Sequence, residues 1–206
     1  MLEVIISAVM SFVGTNIDDL FVDTLFFAEA ESGESGESVR NSGARIRGVV
    51  IGKYLGIGAL VFVSLLGAFG LQLLPGKYIG FLGLIPLGLG VKVAFESWRE
   101  RKSTQTEEIS TLQKDKNLLW SVTLVTIANG ADNIGVYIPL FAGYSLWQLG
   151  ILVCVFVVMI ALWCIIAKRL ADFPLLKVFL MRYKNVIVPV VFVVLGLYII
   201  VDNMLI

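Results

Sequence analysis

Six stretches of this chain are apolar over roughly the 20 residues that a helix needs to cross a bilayer. They run at about 4–28, 47–71, 77–96, 118–142, 147–167 and 185–204. Lipid offers no partner to a free peptide N–H or C=O, so only helices or a closed barrel can span it. These stretches are too long and too continuously apolar for barrel strands. The sequence therefore predicts an all-α fold of six transmembrane helices. Composition agrees: 58% of residues are hydrophobic and 16% charged, against about a quarter charged in soluble domains. Met1-Leu2-Glu3 carries no basic n-region, so the first stretch reads as a span and not as a cleaved signal.

Basic residues set the expected orientation. The connections after the first, third and fifth stretches must share one side. They hold Arg40, Arg45 and Arg47; then Arg99, Arg101, Lys102, Lys114 and Lys116; then Lys168, Arg169, Lys177, Arg182 and Lys184. The other side holds only Lys77. The positive-inside rule makes the basic side cytoplasmic and places both termini outside. Trp98, Trp120 and Trp163 are expected near the cytoplasmic boundary and Trp147 near the outer one. The stretch Glu31–Ser38 is a Gly/Ser/Glu linker, read as a solvated loop.

Three spans (1–96), a polar linker (97–117) and three more spans (118–206) divide a single transmembrane domain into halves. Three is odd, so the second half must lie inverted. A faint repeat fits this. Asn16-Ile17-Asp18-Asp19-Leu20-Phe21-Val22 can be laid on Gly130-Ala131-Asp132-Asn133-Ile134-Gly135-Val136, and Leu87-Gly88-Leu89 echoes Leu195-Gly196-Leu197. Inverted repeats with a site near the midplane are a common transporter plan.

The polar residues within the spans carry the functional signal. A carboxylate at the bilayer centre costs at least ~2.5–3.5 kcal/mol. Asp18 and Asp19 lie near the middle of the first span, with Thr15 and Asn16 one turn before. In the fourth span Thr126, Asn129, Asp132 and Asn133 follow helical spacing and would share one face. Together Asn16, Asp18, Asp19, Asn129, Asp132 and Asn133 form an all-oxygen candidate site for divalent cations, with Thr15 and Thr126 in support. Gly14 and Gly130 would let the helices unwind there and offer carbonyls. Asp23 and Lys53 lie at matching depth, where an ion pair or a snorkelling lysine with a wetted aspartate are both open. No basic residue is expected at the depth of Asp18, Asp19 and Asp132.

Other chemistries are disfavoured. The chain has no His, and Cys154 and Cys164 fall on different faces of one helix, so thiolate or imidazole metal sites and a disulfide framework are not expected. Net charge is zero, which gives no basis for nucleic-acid binding. No nucleotide-binding motif and no resident cofactor are expected. Gly52/Gly56 and Gly76/Gly80 are GxxxG pairs suited to close helix contact within the chain or in a homo-oligomer.

At Asn16–Val22, Ile51–Gly56, Leu82–Lys92 and Gly130–Pro139 the chain resembles the bacterial cadmium-resistance transporters of the lysine-exporter-like superfamily. The resemblance implies six helices in two inverted three-helix repeats, residence in the bacterial plasma membrane, and efflux of Cd²⁺, with Zn²⁺ or other divalent ions as further cargo. It also marks Lys53 and Asp23 as departures, since the family usually shows Gln and an apolar residue there. The residues themselves suit secondary active export by cation/proton exchange, because clustered carboxylates repel and bind a proton when no metal is bound. The alternatives are an exporter of a cationic amino acid or other small organic cation, a passive channel, and a membrane enzyme with paired aspartates; the expectation is a non-enzyme.

Overall fold

The computed structural model describes residues 1–32, 42–71, 84–99, 117–172, 190 and 193–201. Among these residues the chain is helical and contains no strand. The helices are α1 (Leu2–Asn16), α2 (Asp19–Ser32), α3 (Ser42–Leu71), α4 (Leu84–Arg99), α5 (Leu118–Asn129), α6 (Ala131–Ala142) and α7 (Leu146–Asp172), followed by a helical stretch over 193–201. Most of the Gly/Ser/Glu linker, the 97–117 connection apart from both ends, the Gly76/Gly80 pair, Lys77 and the basic residues of 173–189 lie outside the described residues.

Helices α3 (30 residues) and α7 (27 residues) are each long and apolar enough to cross a membrane alone. The first expected span is α1 and α2 together, bent by 66° at a short break, and counts as a third if the bent pair is one span. The fourth expected span is likewise two helices, α5 and α6, of 12 residues each, parted at Gly130. The third and sixth expected spans are described only in part, as α4 and 193–201.

The long helices are apolar nearly all round, which suits lipid on one side and protein on the other. On α3 the buried stripe is Val49, Gly52, Lys53, Gly56, Ile57, Leu60, Val61, Ser64 and Ala68, at three- and four-residue steps. Its opposite face exposes Ile51, Leu55, Phe62 and Leu66. On α7 the stripe from Leu149 to Leu170 is buried, while Val157, Val158, Leu162 and Ile165 stay exposed. Exposed apolar faces on this scale belong in hydrocarbon.

Two packing arrangements fix the site. Helix α3 lies along α5 and α6, and α7 lies along α1 and α2. The first contact is made close by glycine. A Cβ on Gly52 would fall 2.5 Å from Leu119 O, and one on Gly56 would fall 2.6 Å from Thr126 Cβ. Such absent side chains let helix backbones approach where no hydrophobic force drives them together. Thr123 fastens the same seam, with Oγ1 2.8 Å from Leu119 O and 3.2 Å from Gly52 O.

The tryptophans divide. Trp120 and Trp147 are exposed, as interfacial residues are. Trp163 is buried inside the protein. Its ring is drawn inward by a hydrogen-bond acceptor and by Phe12, against which it stacks edge-on at 5.5 Å.

Gly56→Ala should therefore push α3 off α5 and cost about 1–3 kcal/mol. Gly58→Ala, at a position with nothing within 4 Å inside α3, should not destabilise and should gain about 0.4–1 kcal/mol. Thermal unfolding in detergent, followed by size-exclusion fluorescence, checks both.

Candidate functional site

Two helix pairs, α1–α2 and α5–α6, are each interrupted beside an acid. Helix α1 ends at Asn16, Ile17 and Asp18 form a turn, and α2 restarts at Asp19. Helix α5 ends at Asn129, Gly130 forms the joint, and α6 restarts with Asp132 in its first turn. In the alignment that sets Asn16 on Gly130, the Ile17–Asp18 break falls one to two residues after Gly130. Each restarting helix points its N-terminus, with free N–H groups and positive partial charge, at an acid. The physical cause is shared: a carboxylate is poorly housed on the lipid-facing wall of a continuous helix and well housed where backbone groups are freed to meet it.

The flexible residues act differently at the two sites. Gly130 is the joint itself, and a Cβ there would collide with the Leu60 side chain of α3. Gly14 stays inside α1, so unwinding in the first span comes three residues later than its glycine suggested.

Direct contacts join the two breaks. Asn129 Nδ2 donates to Asp19 Oδ1 at 3.4 Å. Asn133, with its amide nitrogen turned to the acceptors around it, donates to Thr15 O and to Asp132 Oδ1, both at 3.1 Å. The backbone N–H of Asn133 also donates to Asp132 Oδ1 at 2.9 Å. Asp18 is half-buried at the α1–α2 turn and Asp132 half-buried at the start of α6. Among the described residues no three Asp, Glu, Cys or His side chains converge closely enough to cage an ion as they stand.

Thr126 is buried against α3 at Gly56 and shares α5 with Asn129, while Asp132 and Asn133 lie on α6. The break at Gly130 divides the stripe that helical spacing predicted. Cys154 is exposed and Cys164 buried, both free.

The largest change concerns Lys53. Its ammonium is buried between α2 and α3 and touches two carboxylates: Asp19 Oδ2 at 2.8 Å and Asp23 Oδ2 at 3.0 Å. The Asp23–Lys53 pair suggested by depth is thus present. The expectation that no basic group reaches the acid cluster is overturned, because Lys53 occupies Asp19 as well. Depth counted along the backbone misplaces the charge of lysine, whose four-carbon stem carries it about a helical turn away.

Tyr137 was not singled out by the sequence. It is fully buried one turn beyond Asn133, and its hydroxyl lies 2.8 Å from Thr15 Oγ1 and accepts from Asn16 Nδ2 at 3.0 Å. Thr15 Oγ1 is also 2.9 Å from Ser11 O, which leaves the Tyr137 hydroxyl free to donate to Thr15. Asn16 spends its amide protons on Tyr137, Thr15 and Phe12 O, while Asn16 Oδ1, fully buried, finds no donor among the described residues. The freed carbonyl of Asn16 accepts from Trp163 Nε1 at 2.8 Å. Beyond this network Phe12, Tyr137, Phe141 and Phe156 pack ring on ring at 5.0–6.1 Å. The only sequence signal for Tyr137 was its four-residue spacing from Asn133, which an ordinary apolar span would also supply.

Removing the hydroxyl with Tyr137→Phe should leave Asn16 and Thr15 short of a partner and cost about 1–3 kcal/mol. A lowered melting temperature of the purified protein, with unchanged helical circular dichroism, checks this.

No curated protein and no solved structure matches the chain. The family model described as "Cadmium resistance transporter" matches residues 12–206, a span that contains both breaks, Lys53 and Tyr137. The chain belongs to the cadmium resistance transporter family.

Proposed function

We propose that the chain is a multi-pass plasma-membrane exporter of divalent metal cations, Cd²⁺ foremost, driven by exchange against protons. In this reading Asp18, Asp19 and Asp132 supply charge, and Asn16, Asn129 and Asn133 supply neutral oxygens or hold the acids in place. The observation that carries it is the meeting of two helix breaks, each opening beside an aspartate in the middle of an apolar span. Membership in a transporter family for cadmium resistance supplies the cargo.

Several features support the arrangement. The paired helix termini place backbone groups of interrupted helices near the acids, the device by which broken helices hold ions in transporters. The buried Asn16 Oδ1, with no hydrogen-bond partner among the described residues, is a hard oxygen donor. Oxygen ligands without imidazole or clustered thiolate accept hard and borderline divalent ions. An inverted-repeat, six-span architecture accounts for the packing: α3 along the α5–α6 pair mirrors α7 along the α1–α2 pair. Under that architecture the halves rock about the breaks, with both termini outside and the Arg45–Glu29 and Lys168–Glu31 pairs on the cytoplasmic side.

Asp18→Asn and Asp132→Asn should each reduce Cd²⁺ uptake into inside-out proteoliposomes by at least about tenfold, as expected when a charged ligand is lost from a desolvated site. A pH step should drive uptake against a gradient in the parent chain. Undiminished flux in both variants would sink the site assignment.

A further inference from the structure

Asp19 is placed among the cargo's ligands, yet both of its oxygens are engaged. Oδ2 holds the Lys53 ammonium at 2.8 Å and Oδ1 accepts from Asn129 at 3.4 Å. A cation on Asp19 would sit against the Lys53 ammonium, and the repulsion between them favours release of Lys53. Lys53 has a second acceptor already in contact. Asp23 stands one helical turn further along α2, on the same face, with its Oδ2 3.0 Å from Nζ. All three side chains are buried: 1% exposed for Lys53, 9% for Asp19 and 5% for Asp23. A buried ammonium cut off from water cannot leave for solvent, so its one inexpensive move is from shared contact to contact with Asp23 alone.

We infer that Lys53 is a tethered cation that competes with the cargo for Asp19 and retreats onto Asp23 when a divalent ion displaces it. This makes Lys53 a specificity-determining residue, and the inference rests on the site proposed above.

The consequence is a charge threshold. A monovalent ion offers Asp19 the same unit charge that Lys53 already provides. It must also compete with an ammonium held beside the carboxylate, at an effective concentration on the order of millimolar or higher. Sodium and potassium therefore gain nothing by entry. A divalent ion doubles the Coulomb attraction at the same distance and recruits Asp18 and Asp132 as well. Asp23 is needed because it keeps the displaced ammonium paired. Without it, Lys53 would hold Asp19 more tightly or be left as an isolated buried charge.

The test is Cd²⁺ binding to the purified full-length chain in lipid nanodiscs, measured by titration calorimetry with and without added Na⁺ at about physiological ionic strength. Lys53→Gln should tighten Cd²⁺ binding by roughly tenfold or more, as the competitor is removed, and should make that binding sensitive to Na⁺ beyond general screening. Asp23→Asn should weaken it.

The double variant Asp23→Asn/Lys53→Gln is decisive. It has the parent chain's net charge and leaves one buried carboxylate without its lysine, Asp19, where Lys53→Gln alone leaves two, so it also serves if Lys53→Gln alone fails to fold. The tether predicts that the double variant binds Cd²⁺ as tightly as Lys53→Gln. Parent-like affinity in the double variant would show that only net charge matters and would overturn the inference. So would unchanged or weakened binding in a folded Lys53→Gln protein. If instead Asp18→Asn and Asp132→Asn both bind Cd²⁺ like the parent, the site itself fails and the tether with it. Normal loss in those two variants, with no gain in the lysine variants, removes the tether alone.

Discussion

A charge in the middle of a membrane span must be given partners, and much of the architecture follows from how this chain supplies them. Two apolar helix pairs carry aspartates at mid-length, and both are interrupted there. Each break frees backbone groups at a helix end, and α2 and α6 both restart with an acid in the first turn. The same breaks would be untenable if they faced lipid, because freed N–H and C=O groups have no partner in hydrocarbon. They persist because α3 and α7 cover them. Leu60 of α3 closes over Gly130, and Trp163 of α7 donates to the carbonyl of Asn16.

Glycine does its work on α3 for a related reason. Lipid supplies little force to drive helices together, so contact area has to come from close approach. Gly52 and Gly56 place the α3 backbone against Leu119, Val122 and Thr126 of α5. That approach carries Lys53, which lies between the two glycines, into reach of α2. A bulkier seam would hold the lysine further from the carboxylates that neutralise it. The helix-packing motif and the buried ion pairs are thus parts of one arrangement.

The sequence was informative where cost is local and uninformative where reach decides. Acids within apolar spans announced Asp18, Asp19 and Asp132, since nothing else explains so expensive a placement. Gly130 was legible as a joint because it stands beside one of them. Gly14 was not a joint, because neighbouring acids and not glycine decide where α1 stops. Lys53 was read only to the depth of its Cα, which found Asp23 and missed Asp19. Thr126 satisfied a helical stripe that the break at Gly130 then divided. Tyr137 and Trp163 looked like an ordinary aromatic and an interfacial one. Their roles come from partners 122 and 147 residues away in the chain, and no pattern within one span encodes those.

The bond from Trp163 to Asn16 also bears on how the molecule can move. It fastens the loose end of α1 to the middle of α7, while Tyr137 and Asn133 fasten the preceding turn of α1 to α6. The end of α1 is therefore fastened to both α6 and α7. If α6 and α7 part, one of these attachments must give way. The indole is then a natural gauge: while its N–H is held, its emission reports a hydrogen-bonded, water-free setting, and release would expose it to a different one. The protein carries at the end of α1 a fluorophore whose signal would follow whether this bond holds.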